Sequence, residues 1–185
     1  MSKIQLKISL LLLICLLLHK GLGAQKAAVS FVQHYEPIAS ELMCKNGIPT
    51  SIILGVSMIE SAMGQSKNCQ LLNNFFGVKG KNQLHKGNSG HHSAYKQFAS
   101  PKASFEDFVR MIKTKKYYAA LKGNMDYRVW LHHMNKLGYA EAKGKWIHDI
   151  TTVITKYKLT QYDTCQMVYV DPNAPIWGYD TSLIK

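Results

Sequence analysis

Acid is scarce in this chain of 185 residues: 11 Asp and Glu stand against 23 Lys and Arg, for a net charge of +12. Between Glu60 and Glu106 there is no carboxylate side chain at all. A surplus of this sign and size favours acidic polymers: nucleic acid, anionic membrane surfaces, or the carboxylates and phosphates of a cell wall. No basic run resembles a nucleic-acid-binding motif, which argues against the first. There is no internal repeat and no low-complexity linker, so neither a solenoid nor a string of modules is expected. Long apolar runs are also missing after the first two dozen residues, leaving nothing to span a bilayer.

The amino terminus has the three-part layout of a secretory signal peptide. Lys3 and Lys7 supply positive charge, Ile8 to Leu18 is apolar apart from Ser9, and Leu22-Gly23-Ala24 offers a small-residue cleavage site. Eleven apolar residues are too few for a membrane-spanning helix, so the alternative of a retained anchor is disfavoured. The expected layout is a signal peptide over 1–24, a domain over 25–160 and an irregular tail over 161–185, docked on the domain. Removal of the leader takes three lysines with it, so 161 residues carrying +9 remain. That is enough chain for one domain with one core, with no stable membrane insertion after processing and a secreted or periplasmic location.

Cysteine count leaves an open question. Cys44, Cys69 and Cys165 survive processing, and an odd number in an oxidising compartment suggests one disulfide and one free thiol. Which two pair is left open. Nothing places a histidine beside a cysteine, so a thiol nucleophile is not expected.

Periodicity predicts a mainly α fold. An amphipathic helix is expected over Ala27–Lys45, stopped at Asn46-Gly47. Pro49-Thr50-Ser51 opens a second helix, apolar nearly all round and therefore the buried centre of the domain, with its end at Gly64. From Gly77 to Ala99 the helical pattern gives way to glycine-rich loops and a short hairpin. Ser100-Pro101 reads as an N-cap with proline in the first turn. A turn of helix at Tyr117–Leu121, a helix capped by Asp126 and running to Leu137, and a last helix over Trp146–Leu159 complete the body. Pro172 and Pro175 break regular structure in the tail.

One residue of the second helix is out of keeping with the rest. Glu60 lies near its end among Val56, Ser57, Met63 and Gly64, with no lysine or arginine three or four residues away. Apolar surroundings disfavour the charged carboxylate, and the negative end of the helix dipole acts in the same sense. A carboxyl kept protonated near neutral pH is suited to donating a proton to a departing sugar oxygen. By itself, a glutamate at a helix end could equally face solvent. The residues that follow it decide between the two.

Gly47 to Lys79 contains Ile59-Glu60-Ser61 at a helix end, then Asn73-Asn74-Phe75-Phe76-Gly77-Val78-Lys79. This pattern resembles the glucosaminidase domain of glycoside hydrolase family 73, the family of flagellar-rod muralytic enzymes and autolysins. The resemblance continues at Phe98–Phe105, Tyr117–Leu121, Asp126–Trp130 and Leu137-Gly138-Tyr139-Ala140, covering roughly 31–159. It implies a lysozyme-like α+β fold: a helical body, a small β or irregular lobe, and a glycan cleft between them. It also implies hydrolysis of the β-1,4 bond after N-acetylglucosamine in peptidoglycan glycan strands, with no cofactor and no metal. By carry-over Glu60 is the general acid, Tyr139 lines the site beside it, and Asn74, Phe76, Gly77 and Lys79 bind substrate along the cleft wall. Phe76 and Gly77 serve equally well as packing and turn residues; Asn73 and Phe75 are read as structural.

The chain departs from the family where a second acid is often found, in the lobe; His85, His91 and His92 occupy that region instead. Three explanations stay open. The substrate's own acetamido oxygen could act as nucleophile, Glu141 could fold in as a second acid, or the chain could be a peptidoglycan-binding module without catalysis. The pair His91-His92 has no third ligand at a recognised spacing, so no metal is expected. Trp177 and Tyr179 in the tail could meet sugar or dock on the domain.

Overall fold

The structure, a computed structural model, describes residues 3–84, 93–136 and 143–165; the side chains of residues 3–24 and of Lys143 lie outside that description. The elements run α1 (Lys3–Asn46), α2 (Thr50–Glu60), α3 (Lys67–Leu72), α4 (Pro101–Lys113), α5 (Tyr118–Leu121), α6 (Tyr127–Lys136), α7 (Lys143–Lys156) and a 3-10 turn at Leu159–Tyr162. The helix expected over Ala27–Lys45 is part of α1, which is continuous back to Lys3 through the expected leader. The fold is mainly helical, as the periodicity indicated. Among the described residues no helix is long and apolar enough to cross a membrane.

Helix α2 is the axis of the body. Every residue from Thr50 to Met58 is buried, so its near-uniform apolar character is matched by neighbours on all sides. Helix α1 packs on it from one flank and α7 from the other, with α4 against α1 and α6 against α7. Gly55 is where α7 comes nearest: a β-carbon there would lie 2.9 Å from Cγ1 of Ile154 and 3.1 Å from Cγ2 of Ile150. Only a residue without a side chain admits that approach. Tyr35 of α1, Phe75, Phe76, and Phe105 and Phe108 of α4 stack into an aromatic layer, with Phe76 parallel to Phe108 at 4.2 Å.

The amino end of α2 has no cap of its own, because Pro49 offers no side-chain acceptor. Asp163 supplies one from 112 residues away, accepting from the Ser51 backbone N–H and from its hydroxyl, both at 2.7 Å. A carboxylate at the positive end of a helix is a favourable placement. Two residues later Cys165 is bonded to Cys44, and Cys69 remains free and buried. The start of the tail is therefore held against the domain; residues after Cys165, Trp177 and Tyr179 included, lie outside the described residues.

Two short elements went unforeseen: α3, capped by Ser66 accepting from the Cys69 N–H, and the 3-10 turn. Neither is long enough to show a helical repeat in sequence. Ser100 caps α4 through the Ala103 N–H, with Pro101 in the first turn. The lobe reduces, among the described residues, to one antiparallel bridge, Lys79 opposite Tyr95, flanked by Gly80 N–H to Ala94 O (2.9 Å) and Lys96 N–H to Val78 O (2.7 Å).

Candidate active site

The second helix stops earlier than its apolar run suggests. It ends at Glu60 rather than Gly64, because Ala62, Met63 and Gly64 all take left-handed conformations (φ +50°, +55° and +79°). Such conformations cost non-glycine residues roughly 1–2 kcal/mol each, and here they are held by specific bonds. The Met63 N–H reaches Met58 O at 2.7 Å, and the Gly64 N–H reaches the Ser61 hydroxyl at 2.8 Å. Ser61 Oγ in turn donates to Ser57 O at 2.6 Å. The reversal turns the chain away at once and leaves the Glu60 carboxyl at the end of a rigid, buried helix. Backbone strain of this kind concentrates at functional sites.

Glu60 is half-buried, and its two oxygens have different surroundings. Oε1 accepts a 2.8 Å hydrogen bond from the indole N–H of Trp146, a buried residue in the first turns of α7. Oε2 faces Gly77: a β-carbon on that glycine would lie 3.5 Å from Oε2 and 3.8 Å from Cε1 of Tyr95. Burial pushes the carboxyl above the ordinary glutamate range, and the Trp146 hydrogen bond pulls partly the other way. Among the described residues, one oxygen is thus held by a donor and the other is turned toward Gly77 and the lobe. No lysine or arginine pairs with Glu60 among the described residues. A partly buried carboxyl with a raised pKa can serve as a proton donor.

The residues expected to line the cleft divide into three groups. Gly77 sits directly against the Glu60 carboxyl, with φ +64° and no side chain to block it. Lys79 is exposed on the lobe bridge. The side chains of Asn74 and Phe76, by contrast, face inward. Asn74 is 2% exposed; its amide donates to Val78 O (2.8 Å) and Lys96 O (2.7 Å) and accepts from the Val78 N–H (3.0 Å). All its amide hydrogens are spent on clamping the two lobe strands together. Phe76 is 4% exposed within the aromatic layer. Asn73 stops α3 in a left-handed conformation and Phe75 is buried, both structural as read.

Tyr139 and Glu141 lie outside the described residues, as do His85, His91 and His92. Among the described residues no trio of His, Cys, Asp or Glu comes together in a metal-binding arrangement. Two site residues escaped the sequence reading. Trp146 is read from sequence only as the start of the last helix, although an indole N–H in a buried position needs an acceptor and so signals a polar partner. Tyr95 carries no local signal beyond its aromatic type.

Comparison with solved structures places this arrangement in a known fold. The catalytic domain of the autolysin Auto from Listeria monocytogenes superposes with a TM-score of 0.61 at 20% identity, covering 74% of this chain and 88% of that one. The glycoside hydrolase domain of FlgJ from Salmonella typhimurium gives 0.57 at 21% identity, covering 72% and 90%. A peptidoglycan hydrolase from Sphingomonas sp. A1 gives 0.55 at 18%, covering 72% and 91%. No curated protein matches the chain by sequence. The sequence model of the glucosaminidase family, described as mannosyl-glycoprotein endo-beta-N-acetylglucosaminidase, matches residues 36–159. With that match over most of its length, the chain belongs to the glucosaminidase family, glycoside hydrolase family 73, and is a glycoside hydrolase.

Proposed function

We propose that the chain is an exported peptidoglycan hydrolase that cleaves the β-1,4 bond after N-acetylglucosamine, with Glu60 as its general acid. The observation that carries this reading is the divided environment of Glu60 among the described residues: Oε1 held by Trp146, Oε2 turned toward Gly77 and the lobe, and the whole carboxyl raised by burial. Family membership supports a sugar substrate, and the solved relatives include a protein described as a peptidoglycan hydrolase. The charged, apolar and small-residue layout of residues 1–24 supports export.

The missing lobe carboxylate favours catalysis assisted by the substrate. In that route the acetamido carbonyl oxygen of the sugar attacks its own C1 as the C1–O bond breaks. The electron pair of that bond goes to the leaving oxygen, which takes the proton from Glu60 Oε2. Water then opens the resulting cyclic intermediate at C1, returning its proton to the Glu60 carboxylate. No second carboxylate is needed to form the intermediate, in keeping with a lobe that has none between Glu60 and Glu106. Tyr139 at the site and Glu141 as an alternative second acid remain part of the proposal on the strength of the family pattern.

Glu60→Gln is expected to abolish release of reducing ends from purified peptidoglycan while the protein stays folded, measured by reducing-sugar assay and circular dichroism. Turnover like that of the parent would eliminate Glu60 as the acid. Mass spectrometry of the muropeptides shows which sugar carries the new reducing end; N-acetylmuramic acid there would overturn the bond assignment.

A further inference from the structure

The helices of the body sort its loops between two ends. Helix α2 runs from Thr50 to Glu60, a rise of roughly 15 Å, and α7 lies antiparallel to it, with Trp146 at the Glu60 end. The Glu60 end therefore holds the lobe, the left-handed turn and the start of α4. The far end collects the α1–α2, α4–α5 and α5–α6 connections and the end of α7. There the Gly123 N–H bonds Gly47 O at 2.9 Å, Tyr118 Oη bonds Asn46 O at 2.8 Å, and Tyr127 and Arg128 share a shallow pocket with Thr155 and Lys158.

This far end is strongly basic. Lys113, Lys115, Lys116, Lys122, Lys156 and Lys158 are all exposed, and they lie at the ends of α4, α5 and α7 or just beyond them. None of the six has a carboxylate within salt-bridge distance among the described residues. The acids nearby do little to offset them: Asp163 is committed to Ser51, and Asp126 lies beside Arg128 at 3.8 Å. Lysines at helix carboxyl ends are favourable for the helix itself, which accounts for Lys113 and Lys156. It does not account for Lys115, Lys116, Lys122 and Lys158, which lie outside the helices.

We propose that this basic pole is a docking surface for the peptidoglycan mesh, binding the carboxylates of peptide stems on strands other than the one being cut. The geometry separates the two tasks. The pole lies a helix length from Glu60, too far for its lysines to reach the sugar whose bond breaks, yet within reach of neighbouring strands in a layered wall. Several point charges on mobile side chains suit a polyanion without fixed register, because association is steered by the summed field rather than by one pocket. The inference rests on the proposed peptidoglycan substrate and adds retention on the wall to cutting.

The test is sedimentation with purified insoluble peptidoglycan, done with Glu60→Gln protein so that the wall stays intact. Binding by this parent should weaken as salt is raised from about 0.05 to about 0.5 M, since exposed charges are screened over that range. Adding Lys→Gln at all six positions should lower binding on the order of tenfold, and Lys→Arg at the same positions should restore it. Wall whose carboxylates have been converted to neutral amides should bind the parent as weakly as untreated wall binds the Gln variant. With Glu60 restored, the Gln variant should still cut a short soluble glycan at the rate of the unsubstituted protein. Undiminished sedimentation of the Gln variant, or of the parent with amidated wall, would overturn the proposal. So would capture of the parent by anionic phospholipid vesicles in preference to wall. The amidated-wall arm needs no variant beyond Glu60→Gln, so misfolding of the six-fold variant cannot mask the answer. Retention is read without turnover, so failure of the catalytic reading and failure of docking are separately visible.

Discussion

Trp146 donates its indole N–H to Oε1 of Glu60 at 2.8 Å across 86 residues of sequence. This bond fixes the rotation of the carboxyl and turns Oε2 toward Gly77, the oxygen that meets substrate in the proposed mechanism. It also stabilises the charged form, against the larger effect of burial. Trp146→Phe keeps the aromatic packing and deletes the donor, so the carboxyl should move still further above the ordinary range. Because the proposed acid must be protonated to act, the alkaline limb of kcat/KM should shift to higher pH, while kcat falls on the order of tenfold from lost orientation. A pH profile of the variant on soluble glycan checks both. An unshifted alkaline limb would show that the bond has only a packing role.

Gly77 keeps the space before Oε2 clear. Alanine there would place its β-carbon 3.5 Å from Oε2, in ordinary contact rather than a clash, but in the space that the proposed mechanism reserves for the leaving oxygen. The left-handed backbone adds about 1 kcal/mol of strain. Gly77→Ala is expected to lose roughly 10- to 100-fold in kcat/KM, on the scale of a misplaced reacting group, with only a small loss of thermal stability. Loss of folding with intact specific activity in the remaining fraction would contradict this.

The raised Glu60 carboxyl has a consequence for stability. Its folded-state pKa lies above the unfolded value, so its contribution is fully present below the unfolded pKa and is lost as pH rises through the folded one. Above that window the native state carries a poorly solvated charge. Glu60→Gln removes the charge and retains a carbonyl acceptor for Trp146, so its Tm should equal or exceed that of the parent at pH 8. The difference should vanish at pH 4. A variant less stable than the parent at pH 8 would mean that the carboxylate is better solvated than its burial implies.

Asp163 and the Cys44–Cys165 disulfide fasten the same corner. Asp163→Ala removes the only side-chain cap seen on α2 and should cost about 1–2 kcal/mol, in the range of lost N-caps. The disulfide closes a loop of 121 residues, for which chain-entropy arguments give about 4–5 kcal/mol. Reduction, or Cys44→Ser with Cys165→Ser, should therefore lower Tm by more than Asp163→Ala. Cys69, buried and with its thiol pushed up to about 11 by burial, should not react with thiol reagents until the protein unfolds. Differential scanning calorimetry with and without reductant, together with thiol titration, tests the set. Rapid labelling of Cys69 in native protein would count against its burial.

What the sequence determined was local. The apolar run of α2, the caps at Ser100 and Asp126, the glycine-rich lobe and the position of Glu60 at a helix end all depend on residues within a few positions of one another. Helical and turn propensities act over that range, so periodicity and cap chemistry were enough to reveal them. The tertiary structure decided which oxygen of Glu60 Trp146 holds and which faces Gly77, which cysteines pair, and what caps α2. It also turned Asn74 and Phe76 inward, because a buried amide is satisfied only when strands from two parts of the chain meet around it. These partners lie 22, 86, 112 and 121 residues apart. No local pattern selects among partners so distant; they are chosen when the packing of α1, α2 and α7 brings the ends of those helices together.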